Sequence, residues 1–229
     1  MDRFERYAIY YAPEPGEFAD VAAAWLGWDA VAGHDLPQPD LPGLPGSPAD
    51  LTASPRKYGF HGTVKPPFRL ACGRGFQGLH AAAAALCATL APVTLDGLTL
   101  CRLGGFVALI PEGDQTALAA LAADVVAGLD GYRAAPSETE IARRRPERLN
   151  PRQRAYLAQW GYPYVMEEFQ FHLTLTSDLP EPGAIAVAAA LVPVFTPLLP
   201  RPFRVNSLCL FGEAQDGRFH LLHRYMLTG

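Results

Sequence analysis

The chain has 229 residues, 49% of them hydrophobic and 18% charged, which is enough apolar material for a well-buried core and excludes a disordered chain. A net charge of -4 and a pI near 5.8 exclude an overall field that would hold a polyanion nonspecifically, so an anionic ligand must be met by a local site. Four cysteines (Cys72, Cys87, Cys101, Cys209) contain no C-x-x-C pair and lie among apolar neighbours, which predicts free thiols in the core.

The N-terminal stretch MDRFERYAIYY mixes acidic and basic residues and has no apolar leader core. No run approaches the roughly 18 uninterrupted apolar residues of a membrane span, so the expectation is a cytoplasmic protein with no membrane contact. Residues 6–12 are aromatic and β-favouring up to a Pro-Glu-Pro-Gly turn and predict a first strand. Helical spacing of Phe18, Val21, Ala22 and Trp25 predicts a helix over 17–31, followed by a Pro-rich irregular segment at 35–56.

That segment leads into RKYGFHGTVKPPFRL, then an Ala-rich helix near 76–91. VTLDGLTLCRL and FVALIP, joined by Gly104 and Gly105, predict a hairpin, and a helix over 114–130 follows. Residues 133–165 hold seven of the 17 arginines together with WGYPY and predict a helical connector or lid. Next come the strand FQFHLTLTS, a helix at 183–195, the strand FRVNSLCLFGE, an Asp216-Gly217 turn and a closing strand RFHLLHRYML.

The order strand, helix, hairpin therefore occurs twice, with His61 to Phe106 spanning 45 residues and His172 to Phe219 spanning 47. The expected fold class is α+β: one bilobal domain over 1–229, made of duplicated βαββ lobes (57–112 and 168–228) with mainly antiparallel sheets around a central cleft.

Residues two apart on a strand share a face. His61, Thr63 and Lys65 therefore share one face of the first repeated strand, and His172, Thr174 and Thr176 one face of the second. Such polar stripes are costly to bury, so both should line one wet cleft. With 6 His and 11 Thr, composition alone gives roughly 0.3 H-x-T triplets. Two occur, at equivalent points of the repeat.

Two imidazoles with ordinary pKa values near 6.5 can remove one proton and deliver another at neutral pH, as hydrolysis of a phosphodiester requires. Threonine hydroxyls can donate to the non-bridging phosphate oxygens. Lys57 and Lys65, the only lysines, lie four residues either side of His61, and Lys65 is the better placed to add positive charge for a phosphate. In the connector, Arg144 is a candidate to hold a phosphate or sugar and Tyr162 to stack on a base or sugar. Lys57 and Tyr58 complete the candidate lid or substrate contacts, although the parity of Tyr58, opposite to His61, also suits core packing. The other histidines, His34, His80, His220 and His223, read as structural.

HGT at 61–63 and HLT at 172–174 in duplicated lobes resemble the two-histidine (2H) phosphoesterase superfamily. KYGFHGTVKPPF and WGYPYVMEEFQFHLTLT are similar to its branch of phosphonate-metabolism proteins encoded near carbon-phosphorus lyase genes. The resemblance implies a bilobal fold, catalysis by His61 and His172, phosphate contacts from Thr63 and Thr174, and cyclic phosphates or 2′-5′ linkages as substrates, the phosphonate branch suggesting a cyclic phosphodiester of a small sugar or nucleotide. Neither the histidine nor the threonine role needs a metal, and no cofactor is expected.

Two other functions would use the same residues. A His-based metallohydrolase needs further ligands, and Glu168 and Asp178, four and six residues from His172, are poor ones. An RNA-end or nucleotide-binding protein on a degenerate 2H fold would hold its ligand without turnover. The expected partner is a small phosphorylated sugar or nucleotide, or an RNA end, and no stable protein partner is expected.

Overall fold

The structure, a computed structural model, describes residues 4–229. Residues 1–3, part of the stretch expected to lack a leader, lie outside the described residues.

The repeated β-favouring runs assemble into one seven-stranded sheet in the order β11-β10-β1-β4-β8-β7-β6, with every neighbouring pair antiparallel. Its strands are β1 (Arg6–Tyr11), β4 (Gly62–Phe68), β6 (Gly97–Leu103), β7 (Phe106–Glu112), β8 (Leu173–Thr174), β10 (Ser207–Glu213) and β11 (Phe219–Met226). Two small ladders pair β2 (Trp28–Asp29) with β3 (His34–Asp35) and β5 (Val93–Leu95) with β9 (Phe203–Val205). The helices are α1 (Glu17–Leu26), α2 (Pro48–Leu51), α3 (Ala53–Arg56), α4 (Phe76–Cys87), α5 (Thr116–Gly128), α6 (Glu138–Arg143), α7 (Pro151–Trp160) and α8 (Glu181–Phe195). The fold is α+β with antiparallel sheets.

Alternation along the strands sorts the core into two clusters. Tyr7, Ile9 and Tyr11 of β1, with Leu208 and Leu210 of β10, join the larger one, to which α1, α4, α5 and α8 contribute. Ala8, Tyr10 and Ala12, with Cys209 and Phe211, join a smaller cluster with Trp28 and Phe219. Burial of these aliphatic and aromatic side chains is the main stabilising term.

The duplication is built with an exchange. The hairpin β6–β7, which follows β4 in sequence, lies beside β8 and carries α8, whereas β10–β11 lies on the β1–β4 side and carries α4. Each half thus covers the hairpin of the other, and the two H-x-T strands become neighbours at the middle of the sheet, where Gly62 pairs with Leu173.

Several expected elements differ in extent, each for a local reason. The first helix ends at Leu26 because Gly27, in the left-handed region at φ 78°, caps it and sends Trp28–Asp29 into a ladder. The segment 93–103 divides at Asp96, since Val93–Leu95 pairs with β9 while Gly97–Leu103 forms the hairpin. FQFHLTLTS forms ladder bonds only at Leu173–Thr174, and beyond them the Leu175 N–H donates to the Val107 carbonyl and the Ser177 N–H to that of Leu51. Capping boxes at Ser137/Glu140 and Asn150/Gln153 start α6 and α7 in the connector. Of the cysteines, Cys87 and Cys209 are buried, but Cys72 is exposed and Cys101 half-buried, so the expected core placement holds for two. The run Glu181–Leu198 is long and apolar enough by composition to cross a membrane, yet Val187, Leu191 and Phe195 pack into the larger core cluster.

Candidate active site

Antiparallel pairing of Gly62 with Leu173 dictates what lies around them. One step along each strand sets His61 across from Thr174 and Thr63 across from His172. All four side chains then lie on the face opposite to buried Leu173. Facing residues on neighbouring strands have Cβ atoms about 5 Å apart and diagonal ones about 7–8 Å apart. Carried one residue beyond the ladder, this register sets the two H-x-T triplets in a square with the histidines on one diagonal and the threonines on the other.

Close approach of β4 and β8 needs a residue without a side chain at position 62. A Cβ there would lie 2.3 Å from Cζ of Phe171, whose ring is buried over the glycine.

Both imidazoles are oriented in the same way. His61 Nδ1 is 2.9 Å from the Gly59 carbonyl oxygen, and His172 Nδ1 is 2.9 Å from that of Gln170. A carbonyl only accepts, so each Nδ1 carries the proton and donates it, which leaves Nε2 as the working nitrogen. The Thr63 hydroxyl lies 3.2 Å from His61 Nε2 and donates to it when the ring is neutral. An aromatic ring backs each histidine: Tyr10 at 3.9 Å between centroids for His61 and Phe106 at 5.6 Å for His172. Burial, the larger effect, pushes the His61 pKa down to about 4 despite its bond to Gly59, and the charge of His172 opposes protonation further.

The cleft is a cavity of about 220 Å³ lined by Tyr10, Tyr58, His61, Thr63 and Thr174, with Arg144 and Tyr162 of the connector forming one wall. The Arg144 guanidinium stacks over the Tyr162 ring, 4.6 Å from its centroid. Among the connector's other arginines, Arg152 pairs with Glu168 and Arg154 donates to the Leu149 carbonyl.

Lys65 does not join this set. Between Thr63, which pairs with Tyr10, and Lys65, which pairs with Ile9, β4 uses two residues for one of β1, so Val64 is the extra residue of a β-bulge. The parity breaks there and both Val64 and Lys65 are buried. Lys65 Nζ donates to the Val126 carbonyl at the end of α5 (2.9 Å) and lies 3.5 Å from Asp130 Oδ1, at the negative end of the helix dipole. Burial lowers its pKa to about 8. Thr176 also leaves the stripe: it is buried, and its hydroxyl oxygen accepts the Val107 N–H (2.9 Å). Lys57, its Nζ over the Tyr58 ring at 4.8 Å, faces an adjoining cavity.

Tyr10 and Phe106 are the site residues that spacing did not single out. A signal for Tyr10 does exist, since it is the one large side chain between Ala8 and Ala12 on its face of β1. Among the described residues, no three His, Cys, Asp or Glu side chains cluster as a metal-holding group.

An antiparallel α+β sheet with two H-x-T strands abreast at its centre, His61, Thr63 and Thr174 lining one cavity and His172 standing beside it outside the lining, is the class of site this chain carries. Residues 63–220 match the family described as Protein of unknown function (DUF1045), and the chain belongs to that family. It is 39% identical over 176 residues to a protein of Janthinobacterium sp. (strain Marseille) named ribose 1,5-bisphosphate phosphokinase PhnN, covering 76% of this chain and 39% of that protein. A protein of the same name from Laribacter hongkongensis (strain HLHK9) is 37% identical over 219 residues, covering 93% and 49%. The chain spans less than half the length of these relatives. Among solved structures it aligns with a crystal structure of a phosphoesterase (15% identity, 99% of each chain, TM-score 0.48). It also aligns with E. coli LigT complexed with 3′-AMP (16% identity, 98% of this chain and 99% of that one, TM-score 0.48).

Proposed function

We propose that this chain is a metal-independent 2H phosphoesterase that hydrolyses a cyclic phosphodiester of a small sugar or nucleotide by paired histidine acid-base catalysis. The observation that carries the reading is the pairing of Gly62 with Leu173, which sets the two H-x-T triplets into a square with the imidazoles on a diagonal. Displacement at phosphorus runs in line, so acid and base must stand on opposite sides of the phosphorus atom, as diagonal groups do.

Burial holds His61 neutral at pH 7, and His61 is therefore the base of the ring-opening step. Its Nε2 takes a proton from water as the water oxygen bonds to phosphorus. The P–O bond to the leaving sugar oxygen breaks, and that oxygen receives the proton that the reaction requires from Nε2–H of His172. The product is a phosphate monoester with a free hydroxyl. Thr63 and Thr174, on the other diagonal, donate to the non-bridging oxygens, where charge accumulates. The Nδ1–H bonds to Gly59 and Gln170 hold both rings in place throughout and keep the proton on Nδ1 whenever a ring is neutral.

The relatives' name concerns a bisphosphorylated ribose, which makes ribose 1,2-cyclic phosphate an early candidate substrate. The likeness of the two motif segments supports a role in phosphonate metabolism, and the mixed-charge N-terminal stretch suits a cytoplasmic one. The kinase part of that name is not carried over. The chain covers under half of those proteins, and neither Lys57 nor Lys65 stands in the Gly-Lys-Ser/Thr context of a phosphate-cradling loop.

The test is a panel of 2′,3′-cyclic nucleotides, ribose 1,2-cyclic phosphate, a 2′-5′ dinucleotide and an ADP-ribose cyclic phosphate, each with and without EDTA. Turnover of one member, insensitive to EDTA, is expected. Activity lost to EDTA and restored by zinc or manganese contradicts the reading, and tight binding of a cyclic nucleotide without turnover favours the nucleotide-binding alternative.

A further inference from the structure

Beside the catalytic cleft lies a second cavity of about 260 Å³, which shares Tyr58, Pro67 and Arg144 with it as a common wall. Six cationic side chains line it against one carboxylate, in a protein whose net charge is -4. Three of the six are committed: Arg6 to Glu213, Arg69 to Glu140 by two bonds of 2.7 and 2.8 Å, and Arg133 to Asp130 at 2.7 Å. The other three, Lys57, Arg143 and Arg144, make no ion pair among the described residues. Lys57 and Arg144 instead set Nζ and Cζ over the rings of Tyr58 and Tyr162, contacts that place the charged ends without using their N–H donors. Like charges gathered on one concavity repel one another, and an anion placed among them relieves that repulsion.

We propose that this cavity is a subsite for a phosphate monoester, so that the substrate is a cyclic phosphodiester carrying a second phosphate about one sugar away. The inference rests on the phosphodiesterase reading for its first anion. A monoester carries about -1.5 to -2 charge at pH 7 and three strong acceptor oxygens, which matches three free cations better than a neutral hydroxyl does. Because Tyr58 and Arg144 belong to both cavities, one small molecule reaches both.

The experiment measures kcat/KM for ribose 1,2-cyclic phosphate and 2′,3′-cyclic AMP, each with and without a 5-phosphate (5′ on the nucleotide). Wild-type protein is compared with Lys57→Ala/Arg143→Ala, two residues outside the catalytic square, and the affinity for ribose 5-phosphate is measured by calorimetry alongside. The phosphorylated form is expected to be favoured about tenfold or more, equivalent to about 1.4 kcal/mol, with the preference falling towards unity in the double variant. Equal turnover of both forms by wild type overturns the subsite while leaving the phosphodiesterase reading standing. If no compound is turned over, that reading fails and ribose 5-phosphate decides the subsite: binding weakened by the double variant supports it, and binding absent or unchanged overturns it.

Discussion

Gly62 and Phe171 occupy a space that holds only one side chain: the ring lies where a Cβ on residue 62 would go, 2.3 Å from Cζ. Phe171 is buried between Tyr11 and Phe203. Gly62→Ala is expected to push β4 from β8, costing about 1–3 kcal/mol by overpacking, and to lower kcat/KM through the same displacement of His61 from His172. Thermal unfolding and kinetics check both. Unchanged activity would show that the approach of these strands does not set the site.

His61 is a half-buried ring at the cavity wall, and the desolvation it suffers there lowers its pKa to about 4 from the ordinary 6.5. The folded value is the lower one, so its contribution to stability is complete above pH 6.5 and is lost as the pH falls towards 4. In an NMR titration the His61 ring signals should stay neutral down to about pH 5. Inorganic phosphate should move the transition upward, because an adjacent anion favours the charged ring. A midpoint at 6.5 with no response to phosphate would remove the basis for assigning His61 as the base.

The Tyr10 ring packs on one side of His61, with ring centroids 3.9 Å apart, and covers that side of the imidazole. Tyr10→Ala should raise the His61 pKa towards 6.5, shifting the acid limb of kcat/KM upward, and cost about 3–5 kcal/mol of stability. The pH profile separates the two effects, since a purely structural loss would lower the whole curve without moving its limb.

Lys65 provides the opposite test. Lys65→Met keeps the volume beside Val126, and Arg133 still holds Asp130, so turnover should stay near the wild-type value. A fall of about tenfold or more would place Lys65 back among the phosphate contacts.

The motif spacing alone brought out His61, Thr63, His172 and Thr174, because strand parity is local and both triplets obey it up to Thr174. What spacing does not carry is long-range register. The bulge at Val64 that turns Lys65 inward depends on how β1 lies against β4, and nothing in HGTVKPPF announces it. The exchange of hairpins is hidden in the same way: the repeat predicts two βαββ units, but which sheet edge accepts each hairpin is decided by packing of α4 and α8. Tyr10 and Phe106 reach the histidines across strands far apart in sequence.

The central claim is that two imidazoles act as one unit, and a double-mutant comparison tests it most directly. With the best substrate of the panel, kcat should fall by about 10²–10⁴ in both His61→Ala and His172→Ala, and the double variant should be little worse than either single one. Losses that multiply in the double variant, or a single variant that keeps most of its activity, would contradict it.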